Sequence, residues 1–290
     1  MLRKYLVWLN SRRYQLSGFL IKNWVFFRFF FTPKNRNKES GVVISLTSYP
    51  ERISVVHYVI KSLIVGSDIP EKIVLWLGQD EMKGVSIPKS LSVLDKCTAI
   101  FEIRYVPRGL KSYDKLVHAL DAFPDYIIVT VDDDTLYPRY FLKDFLAKHR
   151  ENQRSVVCYR GVNLEKNSSR GFKPYNEMLS ASRSFESKGE SWSLMPTGCS
   201  GVLYPPGSLS ELASSYELIR KYALHADDIW FKACALSADT PAILVRNKCI
   251  RFPSIGNNKE ALYFENVVNG GNDKALKLVF DNFNLWGRLD

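Results

Sequence analysis

The stretch that most constrains this chain is Tyr126-Ile-Ile-Val-Thr-Val-Asp-Asp-Asp-Thr135, a β-branched apolar run that stops at three acids. A continuous run of this kind reads as a strand buried in a sheet. Adjacent carboxylates at the end of such a strand repel one another and lose hydration, so positive charge is expected beside them. In an extended strand Asp132 and Asp134 point the same way. Two carboxylates so placed suit a hard divalent cation with oxygen ligands, Mg²⁺ or Mn²⁺. The plain alternative is a solvated acidic turn. Its position directly after a buried strand favours the metal.

Other apolar runs place this strand in a series. Gly41-Val-Val-Ile-Ser-Leu46 is expected to be a first buried strand, after a polar linker from Lys34 to Ser40. It opens into the turn-rich loop Thr47-Ser-Tyr-Pro-Glu-Arg52. Ser54 is placed to cap a helix with Val55, Val59, Ile60, Leu63 and Ile64 at helical spacing. Strands are expected at 72–77 and 99–106, a helix after Ser112, and another starting at Pro138. Helix-like segments follow at 208–222 and 226–237. Strands alternating with helices imply βαβ units and a mostly parallel sheet. In such sheets ligands bind at the carboxyl ends of strands, which is where the Thr47–Arg52 loop and Asp132–Asp134 both fall. With 290 residues, 46% of them hydrophobic, the chain can fill one large α/β domain or a domain with an appendage.

The net charge of +10 is local. Nine Lys/Arg and one acid lie within residues 1–40, so the other 250 residues are nearly neutral. A nucleic-acid binder spreads basic residues over its docking face, so no nucleic-acid partner is expected. Residues 1–38 are basic and aromatic and read as a segment that associates with an anionic membrane surface. Helices packed on the domain, or a signal anchor, are the other readings. Lys22, Asn23 and Arg28 interrupt the apolar stretch from Tyr14 to Phe31, which argues against a spanning helix or a cleaved signal. Cys97, Cys158, Cys199, Cys234 and Cys249 are odd in number and lack a CxxC, which suggests reduced, mostly buried thiols in a cytoplasmic protein.

A second acidic pair stands in His225-Ala-Asp-Asp-Ile-Trp-Phe-Lys232. Ala226, Ile229, Trp230 and Ala233 form one helical stripe, which puts Asp227 and Asp228 in the first turn. There they could cap the helix, or act as a general base toward an incoming hydroxyl. His225 beside them is a further candidate. Gly198 and Gly201, around Ser200, could let a backbone approach a sugar or simply form a turn. Arg108, Lys111 and Lys115 bracket a helix that could face phosphate or only solvent. No P-loop and no GxSxG elbow occurs, and the four histidines lack zinc spacing.

The order of these motifs resembles bacterial GT-A glycosyltransferases of capsule and O-antigen (lipopolysaccharide) biosynthesis. The likeness rests on Val43-Ile-Ser-Leu-Thr-Ser-Tyr-Pro-Glu-Arg-Ile53, the Asp132-Asp-Asp134 DXD, Gly198-Cys-Ser-Gly201, His225-Ala-Asp-Asp-Ile-Trp230 and Asn269-Gly-Gly-Asn-Asp-Lys274. It runs over roughly residues 41–282 and leaves residues 1–40 outside. The resemblance implies a GT-A-like α/β fold with a mostly parallel central sheet flanked by helices. A Rossmann-like nucleotide-sugar half (41–137) would adjoin an acceptor half (138–290), behind a basic, aromatic, helical N-terminal segment (1–40). It implies a nucleotide-diphosphate sugar donor held by Thr47, Ser48, Tyr49, Arg52, Lys115, Asp132 and Asp133, with Mn²⁺ or Mg²⁺ on Asp132 and Asp134. Gly198, Ser200, Gly201 and His225 would meet a lipid-linked glycan acceptor, and Asp227 or Asp228 would take its proton. In-line attack with one base would invert the anomeric centre. The expected location is the cytoplasm, peripheral to the inner face of the bacterial membrane. Two other classes stay open. One is a metal-dependent nucleotidyltransferase or phosphohydrolase, although a phosphatase would want a DxD near the chain start. The other is a non-catalytic glycan- or membrane-binding protein, against which the intact acids argue.

Overall fold

The computed structural model describes residues 36–255 and 270–289, together with Phe29. The expected membrane-associating segment, residues 1–38, lies almost wholly outside the described residues, as does Asn269. The fold is α/β, with a seven-stranded, mostly parallel sheet flanked by helices. The chain divides into two compact units. One runs to Asp114 and includes Asp132–Asp144 and the stretch from Phe252; the other takes in Lys115–Val131, Phe145–Arg251 and the last helix.

In the first unit, strands β1 (Asn37–Thr47), β2 (Asp68–Gly78) and β3 (Phe101–Val106) pair in parallel, with Ile44 opposite Ile73 and Ile73 opposite Phe101. Val43, Leu46, Ile73, Val74 and Leu75 are fully buried. Burial of successive residues explains why these strands read as unbroken apolar runs. The strand β1 starts earlier than expected: Asn37–Glu39, read as linker, pairs with Asp68–Pro70. A register shift between Glu39 and Val43 separates the two halves, and Gly41 takes φ +72° within it, a conformation that costs glycine little.

Helix α1 (Val56–Ile64) packs Val56, Val59, Ile60, Leu63 and Ile64 inward. Ser54 does not cap it. The N-cap is Val55 without a side-chain bond, and the preceding turns carry the chain in, with Arg52 and Ile53 N–H groups both donating to Tyr49 O. After α2 (Lys89–Cys97) comes α3 (Asp114–Ala122), preceded by a 3₁₀ turn, Lys111–Tyr113. The expected cap Ser112 lies within that turn, and Asp114 instead accepts the Leu110 N–H at 2.8 and 2.9 Å. Helix α4 (Phe141–Glu151) begins three residues beyond Pro138, whose carbonyl accepts the Phe141 N–H.

In the second unit, β10 (Val202–Tyr204) runs antiparallel between β4 (Ile127–Thr130) and β5 (Val156–Cys158), and β11 (Ala242–Leu244) pairs with β5 in parallel. Two short ribbons precede β10: β6 (Gly161–Asn163) with β9 (Leu194–Pro196), and β7 (Lys166–Ser168) with β8 (Gly171–Phe172). Helix α5 is Tyr175–Ala181. The expected helix over 208–222 is two pieces, a 3₁₀ turn at Glu211–Ser214 and α6 (Tyr216–Tyr222), because Ser215 interrupts them and caps the second. Helices α7 (Asp227–Ser237) and α8 (Gly271–Asn282) complete the unit. All five cysteines are free; Cys158 and Cys234 are buried, but Cys97 is exposed and Cys199 and Cys249 are half-buried, so "mostly buried" holds for two. Among the described residues no helix is long and apolar enough to cross a membrane.

Leu75 lies at the centre of β2 with no exposure. Leu75→Ala is expected to cost about 2–5 kcal/mol, seen as a lower denaturant midpoint at unchanged slope.

Candidate active site

The first cluster grows from the end of β4. The strand stops at Thr130 and Asp133 and Asp134 sit in a turn, so the alternation expected to align Asp132 with Asp134 does not apply. That turn is fastened on several sides. The Asp132 N–H donates to Tyr137 Oη at 2.9 Å, and the Tyr137 N–H donates to Ser62 Oγ at 3.1 Å. The Leu136 N–H reaches Pro253 O, and the Ile255 N–H reaches Asp134 O at 2.7 Å. Tyr137, Phe141 and Phe252 pack tilted and edge-on against one another.

The loop after β1 meets this turn. Ser48 Oγ donates to Asp133 Oδ2 at 2.6 Å, while Arg52 Nη1 lies 2.9 Å from Asp133 Oδ1 and 3.0 Å from Asp134 Oδ2. Both carboxylates are buried, at 6% and 8% exposure. Burial pushes the Asp133 carboxyl up, against Ser48 and Arg52. Asp134 is pushed up by burial and then by Asp132, whose charge weighs more on it than Arg52 does. Arg52 is pulled down by burial, yet Asp134 and Asp133 hold its pKa above the ordinary value. Its guanidinium also lies 5.4 Å from the centre of the Tyr49 ring, which is 40% exposed. Thr47 Oγ1 is turned to Trp76 O at 3.0 Å. Among the described residues no three His, Cys, Asp or Glu side chains gather as a complete metal cage. The oxygens of Asp132 and Asp134 are hard donors, and the repulsion Asp132 exerts on Asp134 is what a divalent cation relieves, so these residues fit Mg²⁺ or Mn²⁺ with further ligands from outside the protein.

The second cluster lies in the other unit, at the start of α7. Asp227 and Asp228 are in its first turn, but neither caps it: the N-cap is Ala226, without a side-chain bond. Asp228 Oδ1 instead accepts the Gly198 N–H at 3.0 Å, and Lys115 Nζ stands 3.6 Å from Asp227 Oδ2. Lys115, read as a donor-side cation, is therefore engaged with Asp227. A Cβ at Gly198 would fall 2.8 Å from Lys115 Nζ, close enough that the amine would have to move. Gly201 takes φ +91°, Ser200 is fully buried, and His225 is exposed.

Arg160, Tyr175 and Asn272 join this cluster although none was among the expected site residues. Arg160 Nη1 lies 2.7 Å from Cys199 Sγ; burial pulls its pKa down, but Cys199, Tyr175 and Asp228 hold it up. Burial and then Asp228 push the Tyr175 hydroxyl up, while Arg160 and a hydrogen bond with Asn272 oppose. Arg160 follows the apolar run of β5 directly, as the acids follow β4, and that was its one sequence signal. Tyr175 had none, and Asn272 stands in the Asn269–Lys274 motif, to which the sequence assigned no role.

No protein-family profile and no curated protein matches the chain. Among solved structures, residues 1–349 of S. aureus TarS match at 13% identity and TM-score 0.44, over 79% of this chain and 62% of that one. The chain thus spans less than two thirds of that structure. The mannosyltransferase PcManGT of Pyrobaculum calidifontis, in complex with GDP-Man and Mn²⁺, matches at 12% identity and TM-score 0.46, over 95% of this chain and 79% of that one.

Arg52→Ala leaves two buried carboxylates without their cation. The expected loss is about 2–3 kcal/mol, the lower side for a buried pair because Arg52 keeps part of its side chain in water. Both carboxyls already titrate above the ordinary value and rise further without Arg52. Protonation then removes the buried charge, so the deficit shrinks as pH falls through that raised range. Chemical denaturation at pH 7 and pH 5 checks both statements.

Proposed function

We propose that this chain is a metal-dependent glycosyltransferase of surface-polysaccharide synthesis. It moves a sugar from a nucleotide-diphosphate sugar to a hydroxyl of a lipid-linked glycan, with inversion. The observation that carries the reading is the fastened acidic turn at the end of β4, with Asp134 pressed by Asp132 and gripped by Arg52. A solvated acidic turn has no need of that much support. The ordered likeness of the motifs to GT-A glycosyltransferases supports it independently.

In this reading Asp132 and Asp134 hold the cation, which when bound supplies positive charge to the leaving diphosphate. Arg52 holds Asp133 and Asp134 in place, with Ser48 on Asp133, and both partners oppose the upward push of burial on the carboxyls they touch. Tyr49 offers an exposed ring to the nucleotide base. Asp227 is engaged by Lys115, so the base is assigned to Asp228, oriented by the Gly198 N–H. Asp228 takes the proton of the acceptor hydroxyl, the acceptor oxygen bonds to the anomeric carbon, and the bond to the diphosphate breaks. One displacement of this kind inverts the centre. The basic residues 1–38 hold the enzyme to anionic lipid on the cytoplasmic side, near a lipid-linked acceptor.

A thermal-shift panel of UDP, GDP, CDP and dTDP sugars, with and without Mn²⁺, tests the reading. One nucleotide class is expected to raise the melting temperature, an effect lost without Mn²⁺ and in Asp134→Ala. Silence from every donor in folded, Mn²⁺-loaded protein would overturn it. With the donor so identified, Asp228→Asn is expected to keep the donor shift and lose transfer by about 10²-fold or more in a radiolabelled-sugar assay.

A further inference from the structure

Lys232 is a lysine in an unusual place. It lies on α7, is 2% exposed, and its Nζ has no hydrogen-bond partner among the described residues. Lysines are rarely buried without a partner, because an ammonium loses its hydration there. Lys232 is four residues beyond Asp228, so the helix puts the two on one face. Both line the same cavity of about 10 Å³, together with Tyr204, Phe231, Pro196 and Ala242. That volume holds about one water molecule, and Asp228, Tyr204 and Lys232 are the residues of its lining that carry polar groups able to bind one.

The titratable groups around the amine come from three elements. Asp228 on α7 and Tyr204 on β10 line its cavity, and Cys158 on β5 acts on its charge. Burial pushes Lys232 down to about 7, against the Cys158 thiol. The Cys158 thiol is itself pushed up by burial first and then by Cys249, while Lys232 lowers it and Asp228 raises it. Lys232 and Asp228 therefore act with opposite sign on one buried neighbour. At neutral pH the amine can hold or release a proton.

We propose that Lys232 is a positioning residue behind Asp228, exchanging a proton with the Asp228 carboxyl across one water in this cavity. This rests on the assignment of Asp228 as the base. After Asp228 has taken the acceptor proton, its carboxylic acid gives that proton to the neutral amine. A carboxylate and an ammonium result, and the base is restored without opening the site. Below the titration of the amine the ammonium is already formed and cannot accept, so the exchange operates on the neutral and alkaline side.

The test needs no substrate. The ¹³Cε resonance of Lys232 in the full chain, labelled at lysine and assigned with Lys232→Met, is followed over pH in wild type and in Asp228→Asn. The expected midpoint is near 7 in wild type; if the proposed exchange across one water couples the two groups, it is expected to fall by about one pH unit in Asp228→Asn, because an opposite charge nearby favours the ammonium. Unfolding over the same range gives a second readout. A lysine lowered on folding is a cost that is full below about 7 and fades as pH rises to the ordinary lysine value, so wild type should gain stability over that window relative to Lys232→Met. If Lys232→Met does not fold, Lys232→Gln serves for both. An ordinary lysine midpoint, or one unmoved by Asp228→Asn, overturns the proposal. Retained transfer in Asp228→Asn would instead overturn the base assignment, so the two failures are distinguishable.

Discussion

Two carboxylates taken out of water at the tip of an apolar strand would each cost several kcal/mol if left alone. Arg52 and Ser48 are what make Asp133 and Asp134 tolerable there. Much of the first unit's loop structure follows from that need. The turns from Tyr49 to Val55 bring Arg52 back over the end of β1, and the bridge between Thr135 and Ser254 braces the acidic turn from its other side. Ser62 fixes the Tyr137 backbone, and Tyr137 in turn fixes Asp132. A site that must present charge to a ligand has to hold that charge still beforehand, since reorganisation during the reaction would add to the barrier.

The second unit handles buried charge differently. Its acids meet partners drawn from segments far apart in sequence: Lys115 from α3, Gly198 from the turn after β9, and Arg160 from the end of β5. A Cβ at residue 198 would come within 2.8 Å of the Lys115 amine, so the lysine would have to shift. Lys232 is the opposite case, a cation-forming group enclosed without a hydrogen-bond partner among the described residues. Burial is answered there by titration rather than by pairing.

Strand interiors were legible because burial on both faces leaves a composition signal no loop shares. Ile73–Leu77, Val43–Leu46 and Ile127–Thr130 all lie in strands as expected. Ends were less legible, since they depend on hydrogen bonds that alternatives supply equally well. Ser54 and Ser112 were reasonable caps by residue type, but successive turns lead into α1, and Ser112 lies in a 3₁₀ turn before α3. Asn37–Glu39 looked like linker because polar residues at a strand's start show no alternation; pairing with Asp68–Pro70 needs knowledge of the partner strand. The two helical acids were visible as a pair, yet what Asp227 and Asp228 bind was not.

By itself, the sequence determined that this is an α/β chain with carboxylates at a strand end and at a helix start. Those features follow from local periodicity and from the rule that charge does not enter a core without cause. Tertiary structure alone decided that Arg52 grips Asp133 and Asp134, that Lys115 belongs to Asp227, and that Arg160, Tyr175 and Lys232 surround Asp228. A charge's partner is set by distances of a few ångströms between segments tens of residues apart, and no spacing within one strand or helix carries that information.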